Sequence, residues 1–386
     1  MAYQNVGTPR FYIDFIQDWI SRGIFDPDIY TDNNTTMEGN PFDLDPTSPC
    51  VFTIDNDAGY FSVDLTKPIS INEWQQINYQ GVIGHNLVSC NKFDSEGAII
   101  DEKIFTRWNA YNDNGDYHAI HGNMNGNDII NTMGSYNLTN SGGGSGFTYA
   151  HNDGFHLKEC SAVGSETGQI TRFTMQIIHD TADTKINSTF NMNCLTFGKF
   201  YNMPVSPDLD LSVTTEFDGY DTTTTLGGST LTNVRYTGAP WWRDSEGNKI
   251  EPWSVGESNG VSKRNGRRVW SMKFSYLSDK DIFSSNYMSN TYLESGSGSG
   301  YDTDDDLVLD SNDNPIAFEN TLENDDSFVA QVLNKVGNGQ RFIFQPDNTN
   351  NNPDQFAICQ LDQDSLQIKQ VAYKVYDISL KIREVW

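Results

Sequence analysis

One stretch in the second half of the chain alternates strictly between large apolar and polar side chains. Its apolar positions are Trp270, Met272, Phe274 and Tyr276. A period of two predicts a half-buried β-strand whose aromatic row faces a core. Residues 341–345 and 355–359 are short apolar runs separated by a turn-rich segment, and we predict them as partner strands. The final run repeats the alternation with Tyr376, Ile378, Leu380 and Ile382.

Near the N-terminus the spacing changes to that of a helix. Phe11, Phe15 and Trp19 follow one another at intervals of four residues, and Gly23 and Pro27 supply stop signals. We therefore predict a short helix within residues 11–20. A helix with this many aromatic side chains needs a surface to pack on. Two interpretations stay open. The helix docks on the chain's own β domain, or its three aromatic residues are assembly contacts with a neighbouring subunit.

The remaining apolar runs and turn signals divide the chain into three parts. These are residues 1–49 (an N-terminal arm, the short helix and a loop), 50–203 (a first β domain) and 204–386 (a second β domain). The second boundary follows from two prolines within residues 201–207. Residues 112–146 and an acidic insertion at 293–324 are rich in Gly, Asn, Ser or Asp, and we predict that both are exposed loops.

Charge narrows the classes of partner. The 386 residues include 25 Lys and Arg against 52 Asp and Glu, a formal net charge of −27 at pH 7. A surface with this much negative charge repels phosphate backbones and anionic lipid. We therefore expect no direct nucleic-acid binding and no membrane insertion. No apolar run has the length of a membrane span, and no N-terminal signal segment is expected. The basic cluster Arg264, Arg267 and Arg268 pairs across a subunit interface or, as we prefer, neutralises local acidic loops.

Residues that could carry chemistry form no recognisable constellation. The five cysteines contain no CxxC pair, which favours buried reduced thiols over a zinc site or a disulfide framework. The spacings His118–His121 and His151–His156 lie on no predicted helix and lack the glutamate that a zincin needs, so we interpret them as loop histidines. No nucleophile elbow, phosphate loop or dinucleotide fingerprint occurs. We therefore assign no catalytic residue and expect no enzyme.

One acidic segment resembles a calcium loop. Asp302, Asp304, Asp306 and Asp310 match its positions 1, 3, 5 and 9. Position 6 is Leu307, where the turn of such a loop needs glycine. A solvated acidic loop is therefore the preferred interpretation. Calcium is the one candidate cofactor, and these four aspartates are its candidate ligands.

Phrases along nearly the whole chain resemble those of a family of phage virion proteins common in marine viruses. They include Gly-Thr-Pro-Arg-Phe-Tyr-Ile-Asp at 7–14, Gly-His-Asn-Leu at 84–87, Leu-Thr-Phe-Gly-Lys-Phe-Tyr-Asn-Met-Pro at 195–204, Gly-Arg-Arg-Val-Trp at 266–270, Phe-Ile-Phe-Gln-Pro-Asp at 342–347 and Leu-Lys-Ile-Arg-Glu-Val-Trp at 380–386. Proteins of this family are structural. The resemblance thus implies a structural protein of a bacteriophage particle.

Two further resemblances imply a fold. Residues 52–200 are similar to the galactose-binding-like jelly roll of many phage tail proteins, and residues 209–386 look like the β-barrel of distal tail and tail-tube proteins. The implied class is all-β: an N-terminal arm and short helix, a jelly-roll β-sandwich, then a distal-tail-like β-barrel. The acidic insertion at 293–324 departs from a compact barrel.

These resemblances imply a ring-forming tail or baseplate subunit. Its expected partners are copies of itself and other phage tail or capsid proteins, and its expected place is the virion, assembled in the host cytoplasm. Two alternatives stay open. The chain is a capsid decoration or vertex protein, or its jelly roll binds host-surface glycans through Trp108, Tyr111 and Tyr117, whose rings would stack on sugars.

Overall fold

The computed structural model supports the all-β class. Strands make up 54% of the chain and helices 11%, in open antiparallel sheets that form a sandwich-like fold. The residues that the structure describes are 7–28, 30–54, 58–90, 92–93, 104–113, 117–122, 128–130, 134–136, 147–150, 153–163, 169–179, 187–217, 220–234, 242–244, 246–247, 249–250, 253, 266–283, 326–337, 339–352 and 355–385.

The elements follow in chain order. The first strands are β1 Arg10–Asp14, β2 Thr31–Asn33, β3 Thr35–Glu38, β4 Val51–Ile54, β5 Ala58–Ser70, β6 Tyr79–His85, β7 Lys92–Phe93, β8 Ile104–Asn112, β9 Tyr117–Gly122, β10 Asp128–Ile130, β11 Gly134–Tyr136, β12 Phe147–Tyr149, β13 Gly154–Val163, β14 Gln169–His179 and β15 Asn187–Asn202. They are followed by β16 Ser212–Glu216, β17 Tyr220–Thr224, β18 Thr230–Val234, β19 Trp242–Arg243, β20 Lys249–Ile250, β21 Arg267–Ser278, β22 Phe342–Gln345, β23 Ala357–Leu361, β24 Ile368–Ala372 and β25 Val375–Glu384. The helices are α1 Phe15–Ser21, α2 Ile71–Gln75, α3 Asp279–Ile282 and a C-terminal helical segment, π-helical over Val329–Leu333 and ending with Asn334–Val336.

The first unit is a sandwich of antiparallel strands. One sheet has the order β2-β5-β14-β8 and continues past β8 with β9 and β12. The facing sheet has the order β4-β15-β6-β13. The long strand β13 belongs to both, because residues 154–159 pair with β6 and residues 160–163 with β9. The inward faces enclose an aromatic core that includes Phe61, Trp108 and Phe197.

Strand β1 joins this sandwich to the second unit. It pairs antiparallel with β15 on one side and with β22 on the other. Phe11 and Ile13 enter the core of the second unit, whereas Tyr12 enters a further core on the opposite face of the sheet. A Cβ at Gly198 would lie 2.1 Å from the carbonyl oxygen of Ile13, so this close pairing requires glycine. The predicted N-terminal arm thus supplies a central strand.

The second unit continues the same sheet in the order β1-β22-β23-β25-β21-β16, with β24 forming a hairpin with β25. Its core packs under the C-terminal helical segment through Phe328, Val332 and Val336. Among the described strands this sheet stays open, which differs from the predicted barrel. The reason is that β22 takes β1 as its neighbour, while β16 at the far end pairs with β21 alone.

The predicted N-terminal helix begins four residues later than the spacing indicates. Residues 10–14 form β1, and α1 starts at Phe15 with Asp14 as its N-cap, whose Oδ1 accepts a hydrogen bond from the Ile16 amide at 3.0 Å. Gly23 ends the turn after the helix with φ +64°, as predicted. Within the described residues no helix is long and apolar enough to cross a lipid bilayer.

The two predicted loops have different outcomes. Described residues within 112–146 form β9, β10 and β11, so the prediction of a loop is wrong for them. These strands pair with β8, β12 and β13, which a reading of composition alone does not reveal. The insertion at 293–324 lies outside the described residues.

Candidate assembly surface

Among the described strands, β16 is the open edge of the joined sheet. It pairs with β21 from Ser212↔Ser271 to Glu216↔Arg267, and four of its five residues are exposed on both faces. Its sequence, Ser-Val-Thr-Thr-Glu, has neither the lysine nor the proline with which natural edge strands block further pairing. The edge is therefore a template on which another strand could add.

A projecting hairpin follows directly. Strands β17 and β18 pair only with each other among the described strands, from Tyr220↔Val234 to Thr224↔Thr230. Every residue from Asp221 to Leu231 is exposed apart from the half-buried Thr225 at the turn. A lone two-stranded hairpin is marginally stable in water. This hairpin therefore needs a packing partner that the described part of the chain does not supply.

Apolar exposure concentrates in the second unit. Nine of the eleven large apolar side chains exposed among the described residues lie after residue 204. They are Val205, Leu209, Val213, Phe217, Leu226, Leu231, Tyr276, Val371 and Tyr373. Five of these nine lie on or beside β16 and the hairpin. The edge strand and the hairpin therefore form a surface with apolar character, which we call the assembly surface (residues 209–217 and 220–234).

The assembly surface is nearly free of charge at its strands, although the chain carries a net charge of −27. Within β16, β17 and β18, Glu216 and Asp221 are the only charged residues. Glu216 is neutralised by Arg383, whose Nη2 lies 2.8 Å from its Oε2. Like-charge repulsion, which opposes contact between copies over most of this protein, is therefore weak here.

The position of β16 is fixed by its neighbour β21. Gly266, with φ +76°, leads into β21, and a Cβ there would lie 2.5 Å from the carbonyl oxygen of Glu216. Next to it, the buried Arg268 donates from Nε and Nη2 to the two carboxylate oxygens of Glu384, each at 3.0 Å, and from Nη2 to the Phe356 carbonyl oxygen at 2.8 Å. The predicted basic cluster is thus paired inside the chain at Arg268. Arg264 lies outside the described residues.

The prediction that three N-terminal aromatic residues are assembly contacts is wrong, and these residues do not lie on the assembly surface. Phe11, Phe15 and Trp19 are 0% exposed, because β1 lies between β15 and β22 and α1 packs on the sandwich core. The helical spacing was a sign of burial within the chain, which was the first of the two interpretations. The candidate assembly surface does have a sequence signal: residues 212–234 are rich in threonine and poor in charge.

The predicted sugar contacts have three outcomes. Trp108 is 2% exposed and its ring contacts Phe61, Phe173 and Phe197, so the prediction that it stacks on a sugar is wrong. Tyr111 is half-buried, on the outward face of β8. The side chain of Tyr117 lies outside the described part.

No metal site is found in the described part of the chain, where no three His, Cys, Asp or Glu side chains converge. The candidate calcium ligands Asp302, Asp304, Asp306 and Asp310 lie outside it, so calcium binding stays a prediction. All five cysteines are described and none is in a disulfide. Four are buried, and burial raises the pKa of the Cys50 thiol to about 12, so that thiol is protonated at neutral pH.

A buried histidine pair lies in the first unit. His156 is not in a loop, as predicted, but in β13, with its Nδ1 2.9 Å from Nε2 of His85 in β6. Burial lowers the pKa of His85 to about 4, although the charge of Asp153 opposes this, and it lowers the pKa of His156 well below its ordinary value. Both rings are therefore neutral at pH 7, and one nitrogen donates to the other.

Acidification from pH 7 to 5 is expected to destabilise the fold through this pair. The unfolded histidines take up protons near pH 6.5, whereas folded His85 does so only near pH 4. The stability that the pair contributes is thus complete well above pH 6.5 and declines as the pH falls, by about 2 kcal/mol at pH 5 for His85 alone. Buried Asp14, with a raised pKa, acts in the opposite direction.

The measurement is urea unfolding at both pH values for the wild type and for His85→Gln/His156→Asn. The amides replace the two hydrogen-bonding nitrogens but do not titrate in this range. The variant should lose less stability than the wild type on acidification, since Asp14 is common to both. Equal losses would show that the histidines do not titrate as described.

Comparison with protein-family models and with curated proteins gives no match. Among solved structures, the chain is similar to PfGH50B, at 9% identity over 44% of this chain and 22% of that one, with a TM-score of 0.24. It is also similar to an exo-beta-agarase, at 9% identity over 52% and 25% of the two chains, again at 0.24. The chain spans about a quarter of the length of these proteins, and scores this low carry no argument about fold or activity.

Proposed function

We propose that this chain is a structural bacteriophage protein that assembles with copies of itself into a ring in the tail or baseplate. The observation that carries the proposal is the assembly surface, in which one chain offers both an open edge strand and a projecting hairpin. The resemblance of the sequence phrases to phage virion proteins supports a role in the phage particle. The place of the protein is then the virion, beside other tail proteins.

Strand addition explains how the surface would work. The free edge of β16 offers backbone donors and acceptors to a strand of the next copy, and the hairpin of that copy supplies such a strand. The two contacting surfaces differ, so the interface is heterologous and closes into a ring when its rotation divides a full turn. Val213 lies opposite the buried Trp270 at the rim of the core, where an added strand would cover it.

Lysine substitutions on the assembly surface are expected to weaken the ring. Val213→Lys places a charge at the rim of the edge strand and Leu231→Lys places one on the hairpin, and both side chains are exposed in the single chain. We expect each to raise the dissociation constant at least about tenfold, about 1.4 kcal/mol, because the charge must be buried in the interface. Light scattering across a concentration series measures this.

The matched control is Val371→Lys on β24, which adds the same charge to another exposed strand. It should assemble like the wild type. If Val213→Lys and Leu231→Lys also assemble like the wild type, the proposed interface is wrong. A wild type that stays monomeric at all concentrations would contradict the ring and favour a protein that docks on a preformed capsid.

A further inference from the structure

The outward face of the first sandwich carries a groove produced by two breaks in strand register. Between β14 and β5, Ile170 pairs with Ile69 but Arg172 pairs with Asp64, so Thr171 alone faces residues 65–68. The register between β14 and β8 shifts at the same residue. Irregularities of this kind bend strands and re-aim side chains, and they are common beside functional sites.

Residues 65–68 of β5, which face Thr171, are held in place by the turn after α1. Thr66 donates from its amide to the Ile24 carbonyl oxygen at 2.8 Å and from its hydroxyl to the same oxygen at 2.7 Å. The hydroxyl also lies 2.9 Å from the Gly23 carbonyl oxygen. The wall of the groove is therefore anchored to the body of the sandwich and does not depend on a partner to form.

The groove has the size and lining of a small-molecule site. It is open to solvent and has a volume of about 450 Å³, within the range of ligand pockets. Its lining includes Asp64, Leu65, Tyr111, Asn112, Asp113 and Arg172. The lining thus combines an aromatic ring, an aliphatic side chain and hydrogen-bonding groups of both kinds.

An ion pair at the centre offers a donor and an acceptor side by side. Arg172 Nε lies 2.5 Å from Asp64 Oδ1, and the two side chains are 50% and 55% exposed. Because about half of each side chain is exposed, neighbouring hydroxyl groups of a ligand could bind the guanidinium and the carboxylate together. Tyr111 is next in the same cross-strand row, so its ring can cover an apolar sugar face.

The outward residues of β5 and β14 continue this face beyond the groove. Phe61, Val63, Phe173 and Met175 point into the core, so the alternate residues of β5 and β14 point outward. Tyr60, 40% exposed, lies opposite Gln176 four residues from Asp64, roughly 13 Å along the strand. Between the two rows, the Ser62 and Thr174 hydroxyls are hydrogen-bonded at 2.8 Å, and both residues are buried at 5% exposure. The accessible site on this face is therefore the groove itself, at the Asp64 end.

The charge of the groove decides between ligand classes. The Asp64–Arg172 pair is neutral and Asp113 adds a negative charge, within a chain of net charge −27. Sulphated, sialylated or phosphorylated ligands would be repelled. We propose that the groove binds a neutral saccharide, held by the Asp64–Arg172 pair and covered by Tyr111. This binding is independent of the proposed ring, because it uses the opposite unit of the chain.

The test is an array of neutral glucans, galactans and mannans, with sulphated and sialylated glycans as anionic comparators, followed by titration calorimetry with the best-bound neutral glycan. We expect binding by the wild type, and at least about tenfold weaker binding by Arg172→Gln and by Tyr111→Ala. Arg172→Gln should fold normally, since an exposed ion pair contributes about 0–1 kcal/mol. Tyr373→Ala, which removes an exposed tyrosine from the second unit, should bind like the wild type.

Three results would overturn the proposal: no neutral glycan bound by the wild type, a preference for anionic glycans, or unchanged affinity in both groove variants. Circular dichroism and light scattering on each variant separate these from a failure of folding or assembly. A chain that forms rings but binds no neutral glycan would refute this inference and leave the proposed function standing. A chain that binds a neutral glycan but stays monomeric would support this inference and refute the proposed ring.

Discussion

Replacing Phe11 with alanine is expected to destabilise the protein by about 3–5 kcal/mol. Its ring is 0% exposed and contacts the rings of Phe328, Phe342 and Phe344, with centroids 5.9, 5.6 and 5.3 Å away. Removing it leaves a cavity at the strand that joins the two units. Urea unfolding followed by circular dichroism measures the loss, and Tyr373→Ala, at an 83% exposed position, should stay within about 0.5 kcal/mol of the wild type.

Hydrogen exchange locates the effect of the same variant. Strand β1 bonds to β15 on one side and to β22 on the other, so both neighbours should exchange faster in Phe11→Ala. Faster exchange in β22 alone would show that β1 belongs only to the second unit. It would contradict the continuous sheet described above.

Replacing Arg268 with methionine in the wild type is expected to lower the free energy of unfolding by about 3–5 kcal/mol. The substitution leaves the Glu384 carboxylate, whose side chain is 2% exposed, without the guanidinium that neutralises it. It also removes the donor to the Phe356 carbonyl oxygen and the cation above the Trp270 ring, 4.9 Å from its centroid. Because β21 positions β16, the loss should also weaken assembly.

The double variant Arg268→Met/Glu384→Leu is the matched control. Replacing a buried ion pair by apolar side chains of similar size is often neutral, so the double variant should recover most of the lost stability in urea unfolding. If the double variant is as unstable as Arg268→Met, packing at this position matters more than the unpaired charge. The electrostatic explanation would then be wrong.

The local period of apolar residues correctly predicted strands in which one face packs against a single core along the whole strand. The alternation at 270–276 is strand β21, and Trp270, Met272 and Phe274 are buried as predicted. Tyr276 is not: it is 83% exposed with φ +62°. A register shift between Phe274 and Leu277 reverses the alternation there, and such a bulge depends on the partner strand.

The N-terminal aromatic residues show how a period can mislead. Phe11, Phe15 and Trp19 match a helix, yet the first lies in β1 and only the other two lie in α1. Phe11 enters the core of the second unit, whereas Phe15 and Trp19 enter the sandwich core, because the chain turns at Asp14, the N-cap. Pairing of β1 with strands almost 200 and more than 300 residues away decides its conformation, and no local pattern records such partners.

The candidate sites were harder to predict than the fold. The hairpin is exposed because nothing described packs on it, which is a property of the arrangement rather than of its threonine-rich sequence. The groove depends on four residues of β5 that face one residue of β14. Tyr111 was predicted as a sugar contact from its residue type, but its neighbours Asp64 and Arg172 come from two other strands and required the register.

Light scattering of the wild type at low and high salt decides whether the chain assembles into a ring. We expect one discrete oligomer with a mass that is a fixed multiple of the single chain. Its population should increase with salt, because salt screens the net charge of −27 on each copy while leaving strand addition intact. A mass equal to one chain at every salt and protein concentration would contradict the proposal of a self-assembling ring.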